Sequence, residues 1–455
     1  MSQPPSGKRV PLPTILAFSL ATAPVGALTT PLLVNLPKHY GMLGISLFWV
    51  GAIFAAVRML DIIVDPIVGM LMDRTRTKLG RYRVWLLAST PILMLGTWML
   101  FFASPGVSAT YLFIWLGVMY VGFSILVLSQ VSWGAVLATT YDERSKVYAF
   151  GSVIGVLGAV AVLVAPILLQ RTGEDAVHLM GWMILIALPV TALIVAIATP
   201  ETLRISPDAH RVSFRDFPAL IKHHAMRRLL LADLLFTLGP AITSPLFLYF
   251  TQLLRGYTEA EAFWMLAVLS VAGLFGAPIW AWTAYKIGKH RALMLASVLY
   301  AIAQGTIPFI PSDSFWIMMP AMFVAGGILS AFAFLVRAMV ADVADEIRLD
   351  TGKDRIGVLY SLITSTAKIG TASAVFLSLF LLGALGFSAE AGATNSPQAL
   401  NGLLMIYTVP PVLMVLLAAL AVRGYSLSRE RHEEIRVALA VRDAEALAAA
   451  ATPAG

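Results

Sequence analysis

The sequence predicts an all-α polytopic membrane protein with 12 transmembrane helices in two six-helix halves. Three observations carry that expectation. Of the 455 residues, 59% are hydrophobic and only 13% charged, whereas a soluble globular domain carries about 25% charged residues. Mean hydropathy is +0.83. The apolar residues also run in continuous stretches rather than in alternation, which argues against a transmembrane barrel. At roughly 20 residues per span, the chain has room for about 12 of them. The same composition excludes a soluble enzyme, a secreted domain and a disordered chain.

Helices are expected at about 11–35, 44–72, 84–103, 109–138, 147–169, 177–199, 229–254, 260–285, 292–311, 315–345, 357–386 and 399–423. The N-terminal MSQPPSGKRVPLP lacks the pattern of a cleaved signal peptide, so the first apolar run reads as a retained helix. With the N-terminus inside, the external loops hold Lys38, Arg171 and Arg255, and the membrane interior holds Arg58, Arg337 and Lys368. The remaining 26 of the 32 Lys and Arg fall on cytoplasmic segments, which puts both termini in the cytoplasm by the positive-inside rule. The net charge of +7 is therefore a topology signal, and nucleic acid is not an expected partner. There is no Cys, hence no disulfide, no thiol nucleophile and no Cys-ligated metal. Prolines at 24, 31, 66, 166, 240, 245 and 278 fall inside helices and predict kinks, static or hinged.

The chain divides into an N-terminal half (1–199), a polar linker (200–228), a C-terminal half (229–423) and a tail (424–455). In the linker, Phe214, Phe217, Leu220 and Ile221 could line one face of a short surface helix. The tail is charged and then Ala-rich, and is expected to form a cytoplasmic helix that frays. An internal repeat supports the division. Gly80-Arg81-Tyr82-Arg83 follows the second helix and Gly288-Lys289-His290-Arg291 follows the eighth, 208 residues later. Parallel six-helix halves are the organisation of the major facilitator fold, with substrate held near the midplane between them.

Ionisable groups at membrane depth are costly, and they point to function. Arg58, Asp61 and Asp65 are spaced by three and four, which puts them on one face of the second helix. The two carboxylates could hold a hard cation such as Na+, or repulsion between them could lead one to take a proton. The alternative is a structural Arg58–Asp61 ion pair. Shifting by 208 puts Leu266, Leu269 and Gly273 at the matching positions, so the fold does not itself demand these charges. Arg337 and Lys368 lie within apolar runs, either anchoring an anionic or polyhydroxy substrate or pairing with Asp61 or Asp65. Asp233, Asp342 and Asp345 sit near helix ends beside basic loops and read as gate salt bridges. Trp133 could stack on a sugar ring or simply pack.

The sequence Asp61-Ile-Ile-Val-Asp65-Pro66, then Asp73-Arg74-Thr75-Arg76-Thr77 and Gly80-Arg81-Tyr82-Arg83, resembles the glycoside–pentoside–hexuronide:cation symporters, the melibiose permease-like family. Asp342, Asp345, Thr351 to Arg355, Tyr360-Ser361 and Lys368 extend the resemblance to the second half. It implies that Asp61 and Asp65 bind the cation, with Lys368 near both cation and substrate and Trp133 beside the sugar. The family's fourth-helix carboxylate falls at Ser129, so Ser129 or Gln130 would supply a neutral oxygen instead. The family's sugar-binding Asp, Arg and Trp fall near Pro24, Ser152 and Ala333. Losing them shifts the expected substrate toward an anionic or amphipathic solute, with Arg337, Lys368 and Arg58 as its cationic contacts.

The expected protein is thus a cation-coupled symporter in a bacterial inner membrane, a monomer without cofactor and not an enzyme. Na+ or H+ would drive import of a glycoside, uronide or related organic anion. A sodium-dependent symporter of lysolipid or another amphiphile is the second reading. Asp73, Arg74, Asp342, Asp345 and Arg355 would form the breakable cytoplasmic gate.

Overall fold

The computed structural model describes residues 10–138, 141–201, 220–221, 223–312, 314–352, 355–390, 392–425, 427 and 429–451. Among the described residues the secondary structure is helical throughout, and 12 helices are long and apolar enough to cross a membrane. In chain order they are α1 (Leu12–Met42), α2 (Leu47–Arg74), α3 (Tyr82–Phe101), α4 (Ala109–Leu137), α5 (Tyr141–Leu168) and α6 (Gly173–Ala198). The second half repeats the set as α7 (His224–Leu254), α8 (Glu259–Ile287), α9 (Lys289–Thr306), α10 (Phe315–Thr351), α11 (Ile356–Ala384) and α12 (Pro397–Arg423). A further helix, α13 (Arg429–Ala451), follows. Large apolar side chains such as Ile197 (83% exposed) and Trp316 (82%) point outward, as a lipid-facing surface requires. An even number of spans puts both ends of the bundle's chain on one side, called here the terminal end.

The first helix of each half is broken. Both α1 and α7 cover 31 residues, and they contain π-helical stretches at Pro31–Asn35 and Phe250–Leu254. Prolines at positions 24, 31 and 37 in α1, and at 240 and 245 in α7, remove backbone donors and disfavour a continuous α-helix. Elsewhere the helices run close together on small residues. A Cβ on Gly158 of α5 would lie 2.1 Å from the Ala23 carbonyl oxygen of α1, and one on Gly276 of α8 would lie 2.1 Å from the Gly327 carbonyl oxygen of α10. Such contacts replace the hydrophobic drive that lipid does not supply between helices. Gly158→Val is therefore expected to cost about 1–3 kcal/mol or more through overpacking. A clear fall in the melting temperature of the detergent-purified protein would check it.

The two halves share one apolar core at the end opposite the termini. There Leu28, Leu36 and Tyr40 of α1 join Leu246, Tyr249 and Phe250 of α7, with Phe387 and Tyr407 from the C-terminal half. Hydrogen bonds cross the same boundary: Lys38 Nζ donates to Gln252 Oε1, and the Gly173 backbone N–H donates to Glu259 Oε2 at 2.6 Å. At the terminal end the C-terminal half has a separate core, containing Met226, Leu229, Val336, Val343 and Ile347. The bundle is thus tied shut at one end, and each half packs on itself at the other.

Two expectations change at the terminal end. α10 continues six residues past its expected end, to Thr351, and stops at Gly352, whose φ of +72° suits glycine. The tail helix α13 is docked over its first part, as far as Arg442. It buries Ile435 and Leu439 in the C-terminal core, and the Arg442 guanidinium donates to the carbonyls of Arg348 (3.0 Å) and Leu349 (3.2 Å) at the end of α10. The apolar face of the α10 extension is what this helix covers. The expected linker helix falls mostly on residues 202–219, outside the described residues, including Phe214 and Phe217; Leu220 is buried in the C-terminal core.

Candidate functional site

At the middle of the bundle, α2 turns Arg58, Asp61 and Asp65 toward α4 and α11. Pro66 follows directly, and lacking an N–H it leaves the Ile62 carbonyl without its helical donor. Lys368 of α11 places its Nζ 2.6 Å from Asp61 Oδ2 and 2.5 Å from Asp65 Oδ2. Arg58 Nη1 lies 3.2 Å from the same Asp61 oxygen, and its guanidinium stands 5.2 Å from the centroid of the Tyr120 ring. The hydroxyl of Ser124 donates to Asp61 Oδ1. Asp61 is 2% exposed.

Two cations and two carboxylates balance in formal charge, which is what lets them lie at this depth. The balance is incomplete in hydrogen bonds. Among the described residues, Asp65 Oδ1 and Arg58 Nε are buried without a hydrogen-bond partner. An acceptor oxygen of a buried carboxylate left without a donor is costly, and a small cation would satisfy it. The cluster can therefore exchange a fixed ammonium for a mobile cation.

Lys368 is the link between the halves here, reaching from α11 of one to α2 of the other. Both carboxylates engage it, so in this conformation it is not a free anchor for an anion. Ser129 and Gln130 of α4 are buried one to two turns from Ser124, and the Ser129 hydroxyl donates to the Leu126 carbonyl of its own helix (2.9 Å). Ser124 is the α4 hydroxyl that meets Asp61. Its spacing of four from Tyr120 was the readable signal, since it puts both side chains on the face that α2 crosses.

Trp133 lies elsewhere, fully buried near the terminal end of α4. Its ring meets Phe18 edge-on at 5.8 Å, and Arg83 stands 5.6 Å from its centroid. In this conformation the ring contacts protein and offers no free face to a solute. Arg337 also stands apart from the acid pair. It lines a cavity of about 470 Å³ between α5, α8, α10 and α11, with Val156, Leu274, Phe334, Ser270 and Tyr360. Gly273, at the position matching Asp65 in the internal repeat, lines the same cavity. The pseudo-symmetric counterpart of the acidic site is thus an open, mostly apolar pocket with a cation.

The expected gate residues lie in both halves, and Asp342 and Asp345 pair within the C-terminal one. Lys289 Nζ, from the second copy of the Gly-basic-x-basic loop, lies 2.6 Å and 2.8 Å from the two oxygens of Asp342. His432 of α13 lies 3.3 Å from Asp342 and 3.1 Å from Asp345. The Tyr425 hydroxyl donates to the Met339 carbonyl at 3.2 Å, and burial beside Asp342 and Glu346 pushes its pKa up, so it stays a donor. Arg74 is exposed at the end of α2, Arg355 is half-buried before α11, and the Asp73 side chain lies outside the described residues. The first copy of the loop meets a residue that sequence reasoning missed. Glu201 accepts from the backbone N–H groups of Arg81 (2.6 Å), Tyr82 (2.7 Å) and Arg83 (3.1 Å), closing the start of α3.

A family model described as MFS/sugar transport protein matches residues 17–429. The chain belongs to that family. An isoprimeverose transporter of Lactiplantibacillus pentosus is 24% identical over 85% of this chain and 82% of its own length. A mouse protein named sodium-dependent lysophosphatidylcholine symporter 1 is 23% identical over 83% of this chain and 78% of its own. Among solved structures, a mutant of the nucleoside transporter NupG superposes with a TM-score of 0.66 at 11% identity, covering 91% of this chain and 98% of that one. That likeness concerns the fold, which is the major facilitator fold. The chain is accordingly a multi-pass membrane transporter of the glycoside–pentoside–hexuronide symporter type, and the charged cluster on α2 and α11 stands within a solute-transport architecture.

Proposed function

We propose that this transporter couples entry of Na+ or H+ at Asp61 and Asp65 to import of an organic solute by alternating access. The observation that carries this reading is the ammonium of Lys368 held between two carboxylates, one of which has a buried oxygen without a donor. An incoming cation competes with Lys368 for the same oxygens, and Ser124 and the free Ile62 carbonyl can complete its shell. Displacing Lys368 loosens α11 from α2 and lets the halves move about the closed end. Cation occupancy and solute affinity then shift one another by the same factor.

The terminal end, rich in Lys and Arg, is the cytoplasmic one, which makes the conformation described inward-facing. The solute is a glycoside, a uronide or a related organic anion, its charge or hydroxyls met by Arg337 in the cavity. A lysolipid or similar amphiphile is the second reading, favoured by the apolar wall of Val156, Leu274 and Phe334 around that one cation.

Thermal melting of the purified protein with glycosides, uronides and lysolipids, each in Na+ and in K+, tests both readings. A uronide or glycoside shift that grows in Na+ is the expected result. A shift with lysolipids alone would transfer the assignment to the second reading, and no ion effect with any solute would remove Na+ as the coupling ion.

A further inference from the structure

A third acid lies at membrane depth, away from the α2 cluster: Asp233, expected to form a gate salt bridge, forms none among the described residues. Asp233 is on α7, about 14 Å along the helix from its start by the rise per residue. It is 7% exposed. Among the described residues no cation stands within ion-pair distance of it. Its Oδ2 lies 2.6 Å from the hydroxyl oxygen of Thr366 on α11. The same hydroxyl oxygen lies 2.8 Å from the Ile363 carbonyl.

A threonine hydroxyl has one hydrogen. It can give a full hydrogen bond to only one of the two oxygens or be shared between them, as the Thr22 hydroxyl stands between the carbonyls of Ser19 and Gly151. Were Asp233 ionised, its buried charge would have at most that one shared hydrogen against it and no cation within ion-pair distance among the described residues. A proton on Asp233 resolves this. The carboxyl O–H then donates to Thr366 Oγ1, and the threonine hydrogen goes to the Ile363 carbonyl. Every group in the chain is satisfied, and no uncompensated charge is buried.

We infer that Asp233 is a proton-binding site, separate from the Asp61–Asp65 cluster and linked to it through α11. Thr366 and Lys368 are two residues apart on that helix, one touching Asp233 and the other Asp61 and Asp65. α7 and α11 belong to the same half, so movement of the halves as units leaves Thr366 against Asp233. A shift of α11 within its half as Lys368 is freed is what withdraws Thr366 and releases the proton to the aqueous phase. The reverse shift takes it up. α10, α11 and α12 pack against α7. The titratable side chains on these helices are Arg337, Asp342, Asp345, Glu346, Arg348 and Asp350 of α10, Tyr360 and Lys368 of α11, and Tyr407 and Arg423 of α12. Toward the terminal end Asp342 pairs with Lys289, Asp345 with His432, and Glu346 lies 3.8 Å from His223. Arg337 is the cation whose charge acts on Asp233. On α7 itself, His224, Arg227 and Arg228 lie in its first turns.

The inference stands or falls independently of the solute. Infrared spectra of the purified full-length protein, titrated in pH, read the carbonyl stretch of protonated carboxyl groups directly. The wild type is expected to show such a band at neutral pH, lost on alkaline titration, and Asp233→Asn is expected to remove it. Thr366→Val should keep the band but move its frequency, because the acceptor of the carboxyl O–H is gone. A band unchanged in Asp233→Asn, or none in the wild type, overturns the site. Should Asp233→Asn fail to fold, the presence or absence of the Thr366→Val frequency shift decides alone. In vesicles, Asp233→Asn should lose the pH dependence of uptake while Na+ stimulation persists. Loss of Na+ stimulation in the wild type would instead count against the acid-pair reading.

Discussion

Asp61→Asn should bring cation-driven uptake to background and lower stability by about 3–5 kcal/mol, the cost of breaking a buried charge pair from one side. The change leaves Arg58 and Lys368 facing a single carboxylate, Asp65, whose Oδ2 alone then compensates the ammonium. Lys368→Met creates the opposite imbalance. Both carboxylates remain with Arg58 only, so the site should take Na+ more tightly while transport is lost, since nothing then couples ion arrival to the α2–α11 contact. The double change Asp61→Asn, Lys368→Met restores the balance of one cation and one carboxylate. Its melting temperature should exceed that of Asp61→Asn alone, with a coupling of about 0.5–3 kcal/mol between the two sites. Strict additivity in that cycle, read from thermal unfolding in detergent, would mean the two side chains do not interact as described.

Glu201→Ala is expected to have a comparable effect on stability and none on ion selectivity. One carboxylate satisfies three consecutive backbone donors at the start of α3, a place where those N–H groups have no partner within the helix. Hydrogen bonds to a charged group contribute about 1.5–3 kcal/mol each, though not additively. A loss of at least about 3 kcal/mol is the expected outcome, with Glu201→Gln losing roughly half because it keeps an acceptor without the charge. Gly80 permits the approach: its φ is +118°, and a Cβ there would lie 2.1 Å from Glu201 Oε2. Gly80→Ala should therefore resemble Glu201→Ala. Melting in Na+ and in K+ separates this from the Asp61 variants, since the Glu201 and Gly80 effects should be the same in both ions.

The repeated Gly-basic-x-basic loops show how one sequence pattern supports two local structures. In the first copy the backbone of Arg81 to Arg83 binds Glu201, and the Arg83 side chain donates to the Thr199 carbonyl at 2.8 Å. In the second copy the Lys289 side chain binds Asp342. The spacing identified both loops as equivalent, but their partners lie 118–120 and 53 residues away. Pattern alone cannot choose between backbone and side-chain roles when the partner is so remote.

The sequence by itself determined the features that depend on neighbouring residues and on the solvent. The count of 12 apolar stretches follows from the need to satisfy every backbone group inside lipid, and the common face of Arg58, Asp61 and Asp65 follows from 3.6 residues per turn. The division into halves was legible for the same reason, in the repeat and the polar linker. Features set by contact between distant segments were not. Pairing of Lys368 with Asp61 or Asp65 is one of two readings the sequence leaves open; that it engages both, that Arg337 occupies a different cavity, and that Ser124 rather than Ser129 meets Asp61 depend on helix rotation and crossing. A rotation of about 100° per residue separates neighbouring side chains on a helix, so a shift of one position changes which of them faces a partner. The docking of α13 and the capping of α3 by Glu201 were hidden for the same reason: polar residues near a membrane surface satisfy water equally well, and only the tertiary structure assigns them a partner.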